Sequence, residues 1–524
     1  MRFVNRARKR HRPVRCALAL ALLAQVTGAA AQVGLTLGDV LREALRLNPN
    51  ISLQQQQVLV NRGIEMQALG QFDPLISGVV SRNRDPRPLR RDEVAAFGTN
   101  TQIANTIGYS LGVQQPLRTG VTVGANVDVS TVSDNVLQSA GVPPQTAGRV
   151  SFTVRAPLGR NSGTEATTAN LSAAEAELVA ARYDLVFTNA QTLLSTTFAY
   201  WDYLARLRRL DIARDAETRS LRIADETRRL VAADQLPAAE MQLVLASASD
   251  RAGTRVSAEQ AVAEARRVLA LQIGLPVERL AAMPPPADDF PASTGQPLAL
   301  DTRIHDLLDI AYTRRADFEA AKHRERAARH RVELARSGLK PQVDLTLGAG
   351  YGTLVENRAP FDIFGILGQN RAGPTLFATL AAEIPVRNNA AEGFFLAQSA
   401  LLSASNIRVK TVVDTIGANV LTDVQALVRS AQQLAQSVET TRYYERTLEN
   451  EQTKRRLGLA TLIDVINVED RLTNALLVEV QSRQIYANAI AQLRFDLGTI
   501  VLERDGQFDV AVEDLLKPSF DIRP

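Results

Sequence analysis

The chain has 524 residues, with 60 Lys and Arg against 56 Asp and Glu, 4 His and a single Cys. Seven of the bases and none of the acids precede residue 16, so beyond residue 31 the balance is 53 bases to 56 acids, a net charge of −3. That balance removes the basic footprint of a nucleic-acid binder, and a lone Cys16 leaves neither a disulfide framework nor thiolate chemistry downstream.

The first predicted element is a leader. Arg2, Arg6, Arg8, Lys9, Arg10, Arg12 and Arg15 precede an apolar run from Ala17 to Ala24, and Ala29-Ala30-Ala31 stands before Gln32. A basic start, a short apolar core and a small-residue cleavage site read residues 1–31 as a secretory signal peptide. Cys16 precedes the apolar run, where a lipid-modified cysteine would follow it, so no lipid anchor is expected. Beyond the leader no apolar stretch is long enough for a transmembrane helix.

The rest reads as two related halves, 32–275 and 301–498. Asp39 to Leu45 aligns with Asp306 to Tyr312 at an offset of 267, and the same offset takes Ile51 to Phe318 and Pro74 to Pro341. In each half a helical stretch runs into a proline and strands follow, over about 74–156 and 341–385. Ile107, Tyr109, Leu111 and Val113 alternate with Thr106, Gly108, Ser110 and Gly112. Val121 to Val129 and Val343 to Tyr351 alternate in the same way, and 74–82, 149–156 and 374–385 do so more weakly. Period two over about ten residues suits a tilted membrane strand, apolar to lipid and polar or small to the lumen. A soluble sandwich with one wet face would show the same period. Segments 85–102, 132–148 and 353–373 read as long polar loops and Pro116–Gly120 as a tight turn, which is barrel anatomy.

Long helices follow the strands. Thr164 to Ala233 holds no proline or glycine, and Leu171, Ala174, Leu178, Ala181 and Leu185 step by three and four, the spacing of a coiled-coil seam. A helix of that length would be about 100 Å long. A partner helix over 237–273 completes a hairpin spanning about 164–273. The second half repeats the plan over about 389–497, with helices to Leu457 and then over 461–497. The Pro-rich stretch Met283 to Gly295, within a linker 276–300, joins the halves. The tail, 499–524, reads as irregular from about Val501, with one short strand or helix at most.

This order resembles the TolC-like outer-membrane efflux proteins over essentially the whole chain beyond the leader. The stretch from Arg456 to Asn467 is the most similar, with Gly458 and Asp464 at the family's glycine and acid positions and Asn467 where a second acid can lie. In the first half Asp234 stands at the glycine position and Glu240 at the acidic one. The resemblance implies a mostly α fold with β: a trimeric outer-membrane β-barrel continued by a periplasmic helical barrel. It implies an aperture lined by Asp464, Asn467 and Glu240, and docking tips formed by Leu457, Gly458, Leu459, Asp234 and Leu236. It also implies a periplasmic adaptor and an inner-membrane transporter as partners. A ring of carboxylates at a narrow point attracts cations, and with Asn467 neutral the field is expected to be weaker than six acids would give. Asp464 also suits a plain role at a helix N-terminus, and Gly458 that of a helix C-cap. Ala460 and Leu459 offer no basic latch, and Arg455 and Arg456 are the nearest bases.

The family norm is four strands per chain, whereas six candidates are present here. Either the barrel is larger, or one hairpin of 74–131 lies outside it; the second is the expectation.

No catalytic constellation, cofactor motif or metal site is expected. His323 and His330 stand seven apart on a charged helix face, and His305 is alone. Gly348-Ala-Gly-Tyr-Gly lies in a strand and opens no helix. The competing reading is a secreted trimeric stalk or adhesin, which accounts for the rods but not for strands inside each half. An exported hydrolase would need a nucleophile set that is not present.

Overall fold

The computed structural model describes residues 34–280, 283–292, 303–357, 365, 371–504 and 507–517. The expected leader, 1–31, with Cys16, and parts of the linker, of the 353–373 loop and of the tail, lie outside the described residues.

Two short helices, α1 (Leu37–Leu47) and α2 (Pro49–Leu69), open the first half. Asn48 separates them: its extended backbone breaks the helix, its side chain accepts from Asn50 N, and Pro49 starts α2 where a missing N–H costs nothing. Four strands follow: β1 (Leu75–Pro88), β2 (Thr101–Pro116), β3 (Thr122–Asp134) and β4 (Gln145–Pro157). Two short helices, α3 (Arg91–Phe97) and α4 (Asn135–Ser139), sit in the β1–β2 and β3–β4 connections. The long hairpin is α5 (Thr164–Ala232) and α6 (Ala239–Ile273), and α7 (Val277–Leu280) leads into the linker.

The second half repeats this with α8 (Ile304–Arg314), α9 (Ala316–Gly338), β5 (Gln342–Glu356), β6 (Arg371–Glu383), α10 (Asn389–Arg456) and α11 (Leu462–Asp496). The helices α1 and α8, and the starts of α2 and α9, stand 267 residues apart, so the sequence offset is a structural repeat.

All six strands form one antiparallel sheet in chain order, β1 to β6. The hairpin of 74–131 expected to stand outside the barrel belongs to the same sheet as the other strands: β1 pairs with β2 over its whole length, and β3 pairs with β4. The loops are also shorter than the polar composition suggested. Strand β1 runs on to Pro88, β3 to Asp134 and β5 to Glu356, because backbone pairing continues where the side-chain alternation has stopped.

Below the sheet, α2, α5, α9 and α10 lie side by side in that order. Alanines allow the close approach of α5 and α9, where Ala173 and Ala176 pack on Ala327. Farther down, α6, α5, α11 and α10 form a second four-helix layer. The largest core lies between the layers, around Tyr200 and Trp201, both fully buried, with Leu37, Leu41, Leu269 and Ile273. The tail closes this core. It is more ordered than expected: β7 (Val501–Arg504) pairs with β8 (Gln507–Val510) and α12 (Val512–Leu516) follows. Ile500, Val510 and Leu515 anchor it by burial in the same cluster. No described helix is long and apolar enough to cross a membrane.

Candidate functional site

The registers make the sheet two-faced. One row of directly opposed residues runs Ile76, Val113, Ala125, Phe152, Ala349 and Leu376, one from each strand, and every member is apolar. The adjacent row runs Ser77, Gly112, Asn126, Ser151, Gly350 and Thr375, and every member is polar or glycine. Since successive side chains of a strand point to opposite faces, these rows put an apolar band on one face and a polar band on the other across all six strands, with Leu75, Val79 and Phe377 of the end strands as apolar exceptions on the polar side. The apolar face is bare: Ile76 is 71% exposed, Phe152 60% and Leu376 78%. An apolar patch of this extent on a soluble protein is a liability; against lipid tails it is at rest. Strands of 13 to 16 residues exceed the roughly 9–11 that a tilted strand needs to cross.

The far ends of the helical hairpins carry the second set of residues. After α10 the chain turns through Leu457, Gly458 and Leu459, with Gly458 at φ +74°. Gly458 N donates to Arg455 O and Leu459 N to Lys454 O, which satisfies carbonyls left over at the helix end. After α5, Asp234 N donates to Val231 O and Gln235 N to Leu230 O, and Asp234 holds φ +55°. The two turns thus share one geometry, with Asp234 in the glycine's place. Leu457 and Leu459 are exposed, as is Asp234, and Leu236 is half-buried.

Six residues beyond Gly458, Asp464 lies in the first turn of α11; Glu240, six beyond Asp234, lies in the first turn of α6. Asp464 is part of a capping box: its carboxylate accepts from Thr461 N at 2.9 Å and from the Thr461 hydroxyl at 2.6 Å, and Asp464 N donates back to Thr461 Oγ1. Those bonds, the hydroxyl's foremost, hold its pKa below the usual carboxylate range, so the group is charged at neutral pH. Asn467 is exposed one turn on, and Glu240 is half-buried.

Sequence reasoning missed the ties between the hairpins. Arg455 of α10 stands 3.9 Å from Glu226 of α5, Arg219 of α5 stands 3.5 Å from Glu469 of α11, and Arg251 of α6 pairs with Asp470 of α11. Glu469 is largely buried, and burial raises its pKa while the neighbouring Arg219 works against that. An apolar cluster of Ile223, Val244, Leu448, Leu462, Val465 and Leu472 joins all four helices beside these pairs. The arginines and acids come from segments about 220 to 250 residues apart, so no local spacing signals them. His323 stacks on Tyr183 at 5.6 Å, and the described residues hold no cluster of metal-ligating side chains.

Residues 307–499 match the family described as outer membrane efflux protein. Among solved structures the chain is similar to the outer-membrane channel OprN, with 15% identity, a TM-score of 0.65, and coverage of 88% of this chain and 90% of that one. It is similar to the CmeC outer membrane channel of Campylobacter jejuni, at 12% identity and a TM-score of 0.64 over 88% and 85% of the two chains. It is similar also to the outer membrane protein VceC of Vibrio cholerae, at 16% identity and a TM-score of 0.63 over 88% and 96%. At such identities the likeness is one of fold: mostly helical, with an antiparallel sheet, TolC-like throughout. A comparison with curated protein sequences finds no match.

Proposed function

We propose that this chain is an outer-membrane export duct that works as a homotrimer. The observation that carries the proposal is the two-faced sheet, in which one row across all six strands is apolar and the next is polar or glycine. Placed in a bilayer, such a sheet has lipid on one side and water on the other, and only a closed sheet satisfies its backbone there. The efflux-protein match over 307–499 and the channel-like fold support the same placement. The long helices then form a tube in the periplasm, and cargo passes through it passively, driven by an inner-membrane transporter that reaches the duct through a periplasmic adaptor.

The tips at Leu457–Leu459 and Asp234–Leu236 are the proposed docking points, and the first turns of α6 and α11 the proposed aperture. Three copies bring three Asp464 carboxylates to a ring at the end of the tube, with Glu240 beside them and Asn467 adding no charge. A ring of this kind favours cations. The pairs Arg251–Asp470, Arg219–Glu469 and Arg455–Glu226 tie the two hairpins of one copy together. An iris-like opening has to part the hairpins and hence break those pairs, which makes them the proposed latch. The stalk alternative leaves the apolar sheet face without a partner.

Fractionation and conductance test the proposal. The protein should sediment with the outer membrane, migrate as a heat-labile trimer, and conduct ions when reconstituted in planar bilayers. A soluble periplasmic monomer with no conductance would sink it.

A further inference from the structure

We propose that each copy places all six strands in the wall, so that the three-copy duct closes as an eighteen-stranded barrel with β1 of one copy paired to β6 of the next. The inference rests on the three-copy reading above and departs from the four strands per chain that the TolC-like pattern implies.

The two rows run to both ends of the sheet. The apolar row reaches Ile76 on β1 and Leu376 on β6, and the polar row reaches Ser77 and Thr375 on the same strands. The end strands also carry Leu75, Val79 and Phe377 on the polar row's face, so it is the two rows themselves, continuous from β1 to β6, that place both end strands in line with the rest. Among the described residues nothing pairs with the outer edges of β1 and β6. Open edges in lipid leave backbone N–H and C=O groups unsatisfied, so both must be covered, and each has the shape to cover the other. Strand β1 leaves the helical layer and β6 returns to it, so a β6–β1 contact between copies is antiparallel like every contact within a copy. An even number of strands per copy is what allows this.

The helices give the same seam independently. In the layer directly below the sheet, α2 and α10 are the outer members, and both expose apolar side chains: Leu53, Leu59 and Met66 on α2, Leu396, Leu401 and Ile407 on α10. These faces have no partner in the copy and suit a second copy, α2 against α10. Because α2 leads into β1 and β6 leads into α10, closing the helical seam brings β1 and β6 together. If β1 and β2 stood outside the wall, the helices would meet at α2 while the strands met at β3, two strands away.

The extra strands are an inserted hairpin. Pro341 follows Pro74 by 267 residues but Asn389 follows Thr164 by 225, so the first half holds 42 additional residues between those marks. The strands β2 and β3 lie there, and their turn is seated on the structure around it. Gln115 Nε2 donates to Phe72 O at 2.7 Å, and Gly120, at φ +90°, lies so near that an added Cβ would stand 2.5 Å from Asn161 O. The insertion changes the width of the mouth. Six strands about 4.8 Å apart and tilted by about 40° take up roughly 38 Å of circumference. The four helices below, spaced about 8–10 Å, take up roughly 32–40 Å. Four strands would take up only about 25 Å. The wall therefore continues the tube at its full bore, with no narrowing at the membrane.

The test uses the full-length trimer in nanodiscs. Electron cryomicroscopy viewed down the axis should resolve eighteen strands; twelve would overturn the proposal. Cysteine pairs give a second measure, since Cys16 is the chain's single cysteine and the proposed leader removes it. Ser77→Cys combined in turn with Thr375→Cys, Thr379→Cys and Ala381→Cys should yield oxidant-dependent covalent trimers for at least one register. Asn126→Cys with the same three should yield none, being three strands, about 14 Å, from the neighbour's β6, beyond disulfide reach. Cross-links from Asn126→Cys and not from Ser77→Cys overturn the proposal while the trimeric duct stands. Particles with one copy, or with any number other than three, overturn the three-copy reading instead.

Discussion

Asn48 and Arg315 stand 267 residues apart and occupy the same corner of the two halves. Each has extended backbone between two helices, at φ −63°, ψ 126° and φ −69°, ψ 115°. Asn48 fastens its corner by donating to Gln272 O, near the end of α6, at 2.6 Å. Arg315 donates to Asp496, at the end of α11, at 2.5 Å. The repeat thus keeps the joint and changes its chemistry, from a neutral amide to a buried ion pair.

Arg315 is 7% exposed and Asp496 is wholly buried, so removing one partner strands the other. Arg315→Ala should cost about 3–5 kcal/mol, seen as a fall in the heat-dissociation midpoint of the trimer. The paired change Arg315→Met with Asp496→Leu should lose less than either single change. Equal or greater loss in the double variant would mean that the pair is more than a mutual neutralisation.

Asp423 of α10 lies beside Asp496. Burial, then the hydrogen bond and charge of Asp496, push its pKa to about 8, with Arg315 acting in the opposite direction. Its ordinary value is 3.8, so the folded chain holds a proton that the unfolded chain releases. The sign follows: this contribution is full below about pH 4 and is lost as pH rises through about 8. Thermal midpoints should fall across that window, and Asp423→Asn, neutral throughout, should fall less. Parallel curves for the two proteins would remove Asp423 from the account.

Asp464 combines a helix cap with a charge at the proposed aperture, and two variants separate the roles. Thr461→Ala removes the hydroxyl of the capping box and should cost about 0.5–2 kcal/mol without changing ion selectivity. Asp464→Asn should lower both cation preference and block by multivalent cations in planar bilayers. Unchanged selectivity and block in Asp464→Asn would take the residue out of the conducting path.

If the ties between hairpins are the proposed latch, breaking them should open the proposed tube. Arg251→Ala with Arg455→Ala removes two of the cross-hairpin cations at the tip end, and conductance of the purified trimer should rise several-fold. The stability loss should be small, because Glu226 and Asp470, the acids left behind, are about half exposed to solvent. Wild-type conductance in the double variant would assign closure to the apolar cluster around Val244 and Leu462.

Much of this was legible because repetition and period are local properties. The rods α5 and α10 follow from long stretches without proline, α5 also from a three–four apolar step, and the strands from alternation. Alternation ends where β1 leaves the apolar zone: from Arg82 to Pro88 both faces are polar, so the strand's last turn of residues looked like loop. The tail looked irregular because its strands are four residues each and owe their order to Ile500, Val510 and Leu515 in a distant core. Asp234 could be found only through Gly458, since an aspartate at positive φ carries no signal of its own. The latch pairs could not be read at all: Arg219 meets Glu469 only after two hairpins have docked.

The bare apolar face of the sheet has a consequence before any duct exists. A single copy crossing the periplasm would carry Ile76, Phe152 and Leu376 into water together with two open strand edges, the combination that invites aggregation. Its lifetime there is then a race between insertion with two siblings, which scales steeply with concentration, and edge-to-edge misassembly. On this account overexpression does not simply yield more duct; without enough escort by periplasmic chaperones, it fills the compartment with unfinished thirds.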